Sequence, residues 1–233
     1  MSTAVFDLTH YAAAIVDLDG TMVDTLGDFS AALGLMLDEL DLPAISALAI
    51  QPMVGKGSEH LIGSVLDHVL ASTGTLQTPA LFNKAWERYQ HYYRVVNGQY
   101  SVVFAGVHDG LKLLQERGLR LACITNKPTD FALPLLASKG LDGFFEVVFG
   151  GDAFERKKPD PMPLIKTCER LGTSPSRTLM LGDSSNDARA ARAAGCPVVL
   201  VTYGYNHGEP VRDVDADGFV DALTDFGRLQ PRA

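Results

Sequence analysis

The chain has 233 residues, of which 46% are hydrophobic and 21% are charged, and its net charge is −8. A chain of this length fits one large domain or a core with a smaller insert, and its hydrophobic content suffices for a substantial core. The acidic balance argues against binding to nucleic acid, which normally requires a basic face. No apolar run approaches the roughly 18 residues of a membrane helix, so we expect no membrane partner.

The start of the chain and its cysteines indicate the compartment. Asp7 and Asp17 interrupt the first apolar stretch, which argues against a secretory signal. Cys123, Cys168 and Cys196 are far apart and form no CxxC pair, as expected for reduced thiols. The histidines form no close pair with a cysteine or with one another, which argues against a zinc site. We therefore expect a cytoplasmic protein, either a monomer or a small homo-oligomer.

The first part of the chain predicts one strand followed by helices. Residues 11–16 are apolar and are followed by the sequence DLDGT, as a buried strand ending in a loop would be. From residue 24 to residue 40 the apolar residues recur at three- and four-residue spacing, which predicts a helix. Further helical sequence covers residues 59–70 and 79–96, and we predict no strand between residues 24 and 97.

After residue 97, strands and helices alternate. The predicted strands are 119–125, 144–149, 178–181 and 197–201, and the predicted helices are 106–117, 129–139, 160–171 and 186–194. Alternation of this kind implies a parallel sheet that is covered by helices on both faces. We therefore predict an α/β fold with a doubly wound, Rossmann-like core formed by residues 1–23 and 98–233. Residues 24–97 are predicted to be an α-helical insert.

Polar side chains follow four of the predicted strands, at the edge where open α/β sheets bind ligands. They are Asp17 and Asp19, Thr125 and Asn126, Lys158, and Asp183 and Asp187. Taken singly, each has an ordinary structural explanation as a turn, a helix cap or a solvated loop residue. Their coincidence at four strand ends is not expected by chance. We therefore interpret these residues as a functional site.

The composition of this group suits phosphoryl transfer. Asp17, Asp19 and Asp183 offer only oxygen ligands, which Mg²⁺ prefers. Lys158 and the cation would neutralise charge on the phosphoryl oxygens in the transition state. One carboxylate can act as the nucleophile and form an aspartyl-phosphate, and a second can protonate the leaving oxygen and then activate water.

The same residues resemble the four motifs of the haloacid dehalogenase-like superfamily. Residues 15–24, with the sequence IVDLDGTMVD, are similar to the first motif. Thr125 after an apolar strand matches the second motif, Lys158 the third, and residues 182–187, with the sequence GDSSND, the fourth. All four occur in order along the chain. The resemblance implies a catalytic core with a mobile helical cap domain inserted after the first motif, at residues 24–97.

For catalysis, the resemblance implies two aspartates and a metal ion. Asp17 would be the nucleophile, and Asp19 would be the general acid and base. Mg²⁺ would be held by Asp17, by the main-chain carbonyl of Asp19 and by Asp183. The implied activity is hydrolysis of the phosphate ester of a small metabolite through a phosphorylated Asp17.

For phosphate binding, the resemblance implies a further set of residues. Thr125, Lys158 and the main-chain amide of Asn126 would hold the phosphoryl group. Asp187 would orient Lys158 or a metal-bound water rather than contact the substrate.

Other members of the superfamily suggest different reactions. Dehalogenases and phosphonate hydrolases lack the second aspartate of the first motif, so the presence of Asp19 favours a phosphate ester. Phosphonate hydrolases form a Schiff base with a cap lysine, which Lys56 could supply, although a loop lysine between Gly55 and Gly57 is the more ordinary explanation. β-Phosphoglucomutases keep both aspartates, but residues 55–59 fit the basic pattern of their cap poorly.

Three stretches resemble bacterial phosphoglycolate phosphatases, which form one subgroup. They are VGKG at residues 54–57, ITNKPT at residues 124–129 and TYGYNHGE at residues 202–209. We therefore expect 2-phosphoglycolate as the substrate, with Lys56 of the cap as the residue that contacts its carboxylate. Phosphatases of N-acetylmuramic acid 6-phosphate share much of this pattern, so a sugar phosphate remains the alternative.

A signalling module is the alternative from another class. Two-component receiver domains also phosphorylate an aspartate with the help of Mg²⁺, a threonine and a lysine. In receivers the acceptor aspartate lies on a later strand, the domain is much shorter, and no helical insert follows the first strand. Turnover of a small phosphate ester distinguishes the two classes, because a receiver would show none.

Overall fold

A computed structural model of the chain describes residues 8–71 and 74–228. Its strands are β1 (Ala13–Val16), β2 (Val23–Asp24), β3 (Val102–Val103), β4 (Arg120–Ile124), β5 (Val147–Phe149), β6 (Thr178–Gly182), β7 (Val198–Val201) and β8 (Gly218–Val220). Its helices are α1 (Leu26–Glu39), α2 (Ala47–Ile50), α3 (Ser58–Ala71), α4 (Pro79–Val96), α5 (Val107–Glu116), α6 (Thr129–Ser138), α7 (Met162–Leu171) and α8 (Ser185–Ala194).

Six of the strands form one parallel sheet in the order β5-β4-β1-β6-β7-β8. The chain adds β4 and β5 on one side of β1 and then β6, β7 and β8 on the other, so the direction of winding reverses at β1. A reversal of this kind opens a crevice beyond the carboxyl ends of the strands. The register pairs Val16 with both Cys123 and Leu181. The loops that follow β1, β4 and β6 therefore meet at one edge of the sheet.

Helices cover both faces of this sheet because the strands are apolar on both sides. Ala14 and Val16 of β1 pack in the same core as α5 and α6. Ala13 and Ile15 pack on the opposite face with α7 and α8. All four side chains are fully buried. The predicted doubly wound, Rossmann-like α/β core is confirmed.

Helices α1, α3 and α4 pack together around a hydrophobic core of their own. Within it, the ring centroid of Tyr93 lies 5.5 Å from that of Phe29 and 5.3 Å from that of Tyr89. Phe131 of α6 and Tyr205, in the loop after β7, also join this core, which attaches the helices to the sheet. The architecture is therefore an α/β core with a helical cap, as predicted.

A short antiparallel ribbon joins the two parts. Val23 pairs with Val103 and Asp24 with Val102, where the chain leaves the sheet and where it returns. The prediction of no strand between residues 24 and 97 was therefore wrong at Asp24, the second residue of β2, because a two-residue strand shows no periodicity along the chain. We propose residues 24–97 as the cap domain and residues 1–23 and 98–233 as the core. Residues 1–7, 72–73 and 229–233 of these ranges lie outside the described residues.

Other element boundaries differ from the predictions for identifiable reasons. The strand predicted from residue 144 begins at Val147, because Asp142–Phe144 form a 3₁₀ helix. The helix predicted from residue 160 begins at Met162, whose main-chain N–H donates to Oδ1 of Asp160 at 2.9 Å in an Asx turn that precedes the helix. Helix α2 and strand β8 were not predicted, because they are only four and three residues long.

The structure also bears on the expectations about membrane and thiols. Within residues 8–71 and 74–228, no helix combines the length and the apolar character needed to cross a membrane. Cys123, Cys168 and Cys196 are buried and are not joined in disulfides. Their burial agrees with the predicted reduced core thiols.

Candidate active site

Asp17 and Asp19 lie in the loop after the central strand β1. The main-chain N–H of Asp17 donates to the carbonyl of Leu181 at 2.9 Å, so the ladder of the sheet holds the residue in place. The loop then turns at Gly20, whose φ is +83°, and a Cβ there would lie 2.2 Å from Oδ2 of Asp183. Only glycine fits this turn. The turn brings the loop after β1 against the loop after β6.

Lys158 joins three of the strand-end loops. Its Nζ lies 2.8 Å from Oδ1 of Asp17 and donates to Oδ1 of Asp187 at 2.7 Å and to the carbonyl of Ile124 at 3.0 Å. Although burial opposes the charged form, the two carboxylates hold the pKa of Lys158 above its usual value. Lys158 is therefore a fixed, charged group beside Asp17.

Asp187 is held by the start of α8 as well as by Lys158. Its Oδ2 accepts hydrogen bonds from the main-chain N–H of Ser184 at 3.1 Å and from the Ser184 hydroxyl at 2.9 Å, in a capping box. The N–H of Asp183 also donates to this oxygen, at 3.3 Å. A Cβ at Gly182 would lie 2.3 Å from Cγ of Asp187, so a glycine is needed before this turn. Both oxygens of Asp187 are thus engaged by protein groups.

Three buried carboxylates make this edge of the sheet electronegative. Ligand oxygens of Asp17, Asp183 and Asp187 lie within 4.8 Å of one another. Burial raises the pKa of Asp17 to about 7, although Lys158 opposes the shift. Burial, together with repulsion from Asp187 and Asp17, also holds the pKa of Asp183 above its usual range. The single ammonium of Lys158 therefore does not balance the negative charge of these three carboxylates.

A divalent cation fits this arrangement. The donor set consists of carboxylate oxygens, which suit a hard cation, and the uncompensated charge favours one. Oδ2 of Asp187 accepts three hydrogen bonds at the start of α8 and its Oδ1 accepts from Lys158. Among the described residues, each oxygen of Asp183 accepts one, from the Thr21 hydroxyl at 3.4 Å and the Tyr205 N–H at 2.6 Å. Asp17 and Asp183 are therefore the carboxylates better placed to bind a metal directly. The side chain of Asp19 is not part of this cluster of described residues, and we propose that Asp19 would contact the metal through its main-chain carbonyl.

Thr125 and Asn126 follow β4 on the other side of Asp17. The hydroxyl oxygen of Thr125 accepts from the main-chain N–H of Lys127 at 3.1 Å, which leaves its proton for another acceptor. The side-chain amide of Asn126 donates to the carbonyl of Lys158 at 2.8 Å and to the carbonyl of Gly55, in the cap, at 3.0 Å. Asn126 therefore links the core loops to the cap loop, a contact that the sequence did not predict.

Lys127 is a site residue for which the sequence analysis assigned no role. Its Nζ donates to Oδ1 of Asp19 at 2.8 Å. The ammonium also lies 4.6 Å from the ring centroid of Phe29 and 4.8 Å from that of Tyr93, both in the cap. Its place in the loop after β4, next to Thr125 and Asn126, was the available signal. A lysine in such a loop usually points into solvent, and only the tertiary structure brings it to Asp19.

These residues surround a small cavity between core and cap. Its volume is about 30 Å³, enough for roughly one or two water molecules. The core contributes Asp17, Asp19, Thr125, Asn126, Lys127 and Phe131, and the cap contributes Phe29, Val54, Gly55, Gly57, Ser58, Leu61, Tyr89 and Tyr93. The cap side is thus largely apolar. A substrate larger than a few atoms needs the cap to move.

Lys56 takes a different position from the other predicted residues. Among the described residues, its neighbours Gly55 and Gly57 line the cavity, but Lys56 does not. Lys56 is half-buried, and its charge helps to lower the pKa values of His60 and His207, for which burial is the larger cause. The structure therefore brings together Asp17, Asp19, Thr125, Asn126, Lys158, Asp183 and Asp187. Lys56 lies in the adjoining cap loop but does not line the cavity.

The loop after β7 connects the cluster of three carboxylates to the start of the cap. The main-chain N–H of Tyr205 donates to Oδ2 of Asp183 at 2.6 Å. Its hydroxyl donates to Oδ1 of Asp24 and accepts from the N–H of Thr25 at 2.9 Å. This loop lies in the stretch 202–209 that resembles the phosphoglycolate phosphatases. Tyr205 therefore links Asp183 of the core to the residues at which the chain enters the cap.

Comparison with known proteins agrees with this geometry. Residues 14–201 match the family described as haloacid dehalogenase-like hydrolase. The chain is 42% identical to the phosphoglycolate phosphatase of Thiobacillus denitrificans, over 95% of this chain and 96% of that protein. It is 41% identical to the phosphoglycolate phosphatase of Nitrosospira multiformis, over 93% and 94% of the two chains.

A solved structure supports the same assignment. The crystal structure of a predicted phosphoglycolate phosphatase from Haemophilus somnus superposes with a TM-score of 0.91 at 31% identity, covering 95% of this chain and 99% of that chain. The similarity spans both the sheet and the helical cap. The chain therefore belongs to the haloacid dehalogenase-like hydrolase family.

Proposed function

We propose that this enzyme is a Mg²⁺-dependent phosphatase that hydrolyses 2-phosphoglycolate to glycolate and phosphate. The observation that carries the proposal is the position of Asp17. It directly follows the central strand, its Oδ1 lies 2.8 Å from the ammonium of Lys158, and it lines the cavity between core and cap with Asp19 and Thr125. The names of its relatives support the same activity.

In the proposed reaction, a carboxylate oxygen of Asp17 attacks phosphorus, and the bond between phosphorus and the ester oxygen breaks. Asp19 gives a proton to the departing oxygen. Thr125, Lys158 and the main-chain amide of Asn126 hold the phosphoryl oxygens as charge develops on them. Bound at Asp17 and Asp183, Mg²⁺ would supply further charge neutralisation. Asp19 then takes a proton from water, which attacks phospho-Asp17 and releases phosphate.

The cavity favours a small acid over a sugar. On its cap side the cavity is lined largely by apolar side chains, among them Phe29, Val54 and Leu61, which offer no partners to hydroxyl groups. A sugar such as N-acetylmuramic acid 6-phosphate would place several hydroxyls against apolar walls, which costs free energy unless they are hydrogen-bonded. A phosphorylated acid has one anionic tail to satisfy. We therefore place the sugar phosphate second and a mutase or a receiver-like module below it.

A substrate panel tests this proposal. Phosphate release is measured from 2-phosphoglycolate, N-acetylmuramic acid 6-phosphate, glucose 6-phosphate and an aryl phosphate. We expect the highest kcat/KM for 2-phosphoglycolate. A preference for a hexose 6-phosphate would overturn the substrate but not the phosphatase activity. Absence of turnover with every ester would overturn the phosphatase and favour the signalling module.

The nucleophile is tested separately. We expect Asp17→Asn to abolish turnover while the circular dichroism spectrum stays that of the native protein. Mass spectrometry of acid-quenched native enzyme with substrate should find phosphate on Asp17. Phosphate on another residue would overturn the assignment.

We also infer a cytoplasmic location and a small phosphorylated metabolite as the only partner that the reaction needs. Cys123, Cys168 and Cys196 support this location, because they are not joined in disulfides and disulfides are rare in the reducing cytoplasm.

A further inference from the structure

The ammonium of Lys127 is a buried charge with incomplete hydrogen bonding. Lys127 is 5% exposed, and a lysine ammonium has three N–H donors. Among the described residues, only Oδ1 of Asp19 accepts a hydrogen bond from it, at 2.8 Å. The ring centroids of Phe29 and Tyr93 lie 4.6 and 4.8 Å from the ammonium, but neither ring supplies an oxygen acceptor. Burial of an ammonium is costly, so donors without acceptors indicate a place for a ligand.

Tyr93 provides a second unmatched donor in the same cavity. Its hydroxyl is buried and makes no hydrogen bond within the described part of the chain. Burial holds the pKa of Tyr93 well above its usual value, so the phenol keeps its proton. Tyr93 and Lys127 both line the cavity. An anion that enters there would meet two donors that the protein itself leaves unused.

Lys127 also differs from the other buried lysine of the site. Nζ of Lys158 lies within 3.0 Å of three protein oxygens, on Asp17, Asp187 and Ile124, and donates hydrogen bonds to the latter two. Lys127 has one such partner, Asp19. Asp19 is the group proposed to protonate the leaving oxygen. The free donors of Lys127 therefore lie where the leaving group, and not the phosphoryl group, would be.

We propose that Lys127 is the specificity-determining residue of this enzyme, and that its ammonium binds a carboxylate on the leaving group. The substrate class is then a phosphomonoester with a carboxylate one or two carbons from the ester oxygen. The proposal rests on the proposed function, since it assumes that the phosphoryl group lies against Asp17. The ammonium keeps its bond to Asp19 and gives its remaining donors to the substrate, with the Tyr93 hydroxyl as a neutral second donor. Asp19 and the substrate tail are thereby held side by side.

The test compares two substrates that differ in one group. 2-Phosphoglycolate carries a carboxylate where 2-hydroxyethyl phosphate carries a hydroxymethyl group. We expect Lys127→Met to lower kcat/KM for 2-phosphoglycolate by about 100-fold, as for loss of one partner of a buried ion pair. For 2-hydroxyethyl phosphate we expect a loss at least about tenfold smaller, because the variant still removes the partner of Asp19 but a neutral tail makes no ion pair with Lys127. Lys127→Arg, which keeps the charge, should retain part of the preference.

Equal losses on both substrates would overturn the proposal, since Lys127 would then serve the chemistry or the fold and not the tail. An unchanged preference would overturn it as well. Lys112→Met, which removes an exposed lysine 3.9 Å from Glu116, is the control and should change neither substrate. Should Lys127→Met fail to fold, Lys127→Gln tests the same loss of charge.

A binding measurement separates this proposal from the proposed function. In the Asp17→Asn background with Mg²⁺ present, calorimetry measures the affinity for the two phosphate esters with and without Lys127→Met. We expect tighter binding of 2-phosphoglycolate, and we expect Lys127→Met to remove the difference. If native enzyme hydrolyses neither ester but this binding preference depends on Lys127, the proposed function fails and the role of Lys127 stands. If binding never depends on Lys127, the inference fails whatever the enzyme hydrolyses.

Discussion

Oδ1 of Asp187 accepts a 2.7 Å hydrogen bond from Nζ of Lys158, and both side chains are almost completely buried. The same ammonium lies 2.8 Å from Oδ1 of Asp17. Asp187 thus helps to fix the position of the Lys158 ammonium relative to Asp17, the proposed nucleophile. Because Asp187 also caps α8, one carboxylate connects the fold of the last βα unit to the charge at the reaction centre.

The first prediction concerns stability. We expect Asp187→Ala to lower the free energy of unfolding by about 3 kcal/mol, because it removes several hydrogen bonds to a buried charge. Relief of repulsion with Asp17 and Asp183 offsets only part of this loss. Ser184→Ala, which weakens the same cap and leaves Lys158 paired, should cost about 1 kcal/mol. Urea unfolding in EDTA measures both, and equal losses would mean that the ion pair adds no stability.

The second prediction concerns the metal. EDTA should remove activity and Mg²⁺ should restore it, while Ca²⁺ should substitute poorly because it prefers more ligands and looser geometry. We expect Asp187→Ala to weaken Mg²⁺ affinity by about tenfold, as for a residue outside the coordination sphere. Asp183→Ala, which removes a proposed ligand, should weaken it by more than that. Calorimetric titration of each protein with Mg²⁺ decides the order, and a larger effect at Asp187 would reverse the two assignments.

The third prediction concerns Asp19. We expect Asp19→Asn to lower kcat for 2-phosphoglycolate by a factor of about 10² to 10⁴, because the departing alkoxide is left without a proton donor. An aryl phosphate has a better leaving group, so phosphorylation of Asp17 should be less affected. Water activation is also lost, and phospho-Asp17 should therefore accumulate with the aryl substrate. Rapid-quench measurement of the burst checks this, and an equal slowing of phosphorylation with both substrates would argue against general acid catalysis by Asp19.

The fourth prediction concerns Lys56, which the sequence indicated as the contact for the substrate tail. Because Lys56 is not among the described residues that line the cavity, we expect Lys56→Ala to change KM for 2-phosphoglycolate by no more than about twofold. Steady-state kinetics with 2-phosphoglycolate and an aryl phosphate measures this. A rise in KM for 2-phosphoglycolate alone would indicate that Lys56, and not Lys127, contacts the carboxylate of the substrate.

Local sequence determined much of this molecule. Helix α4 runs from Pro79 to Val96 as predicted, because its apolar residues share one face and the Thr78 hydroxyl accepts from the N–H of Leu81 at 3.2 Å. The parallel sheet was predictable from alternating strands and helices. The proposed site residues were predictable for a related reason, since carboxyl ends of parallel strands meet at one edge wherever the strands themselves are recognised.

The tertiary structure alone decided the contacts between distant segments. Strands β2 and β3 are paired although the sequence of the whole cap separates them. Each is only two residues long, so neither leaves a periodic pattern in the sequence. The pairing of Lys127 with Asp19 joins residues 108 positions apart. No local signal distinguishes a lysine that turns inward from one that stays in solvent. That choice depends on whether buried carboxylates and aromatic rings offset the loss of hydration, and the packing of the cap on the core supplies both.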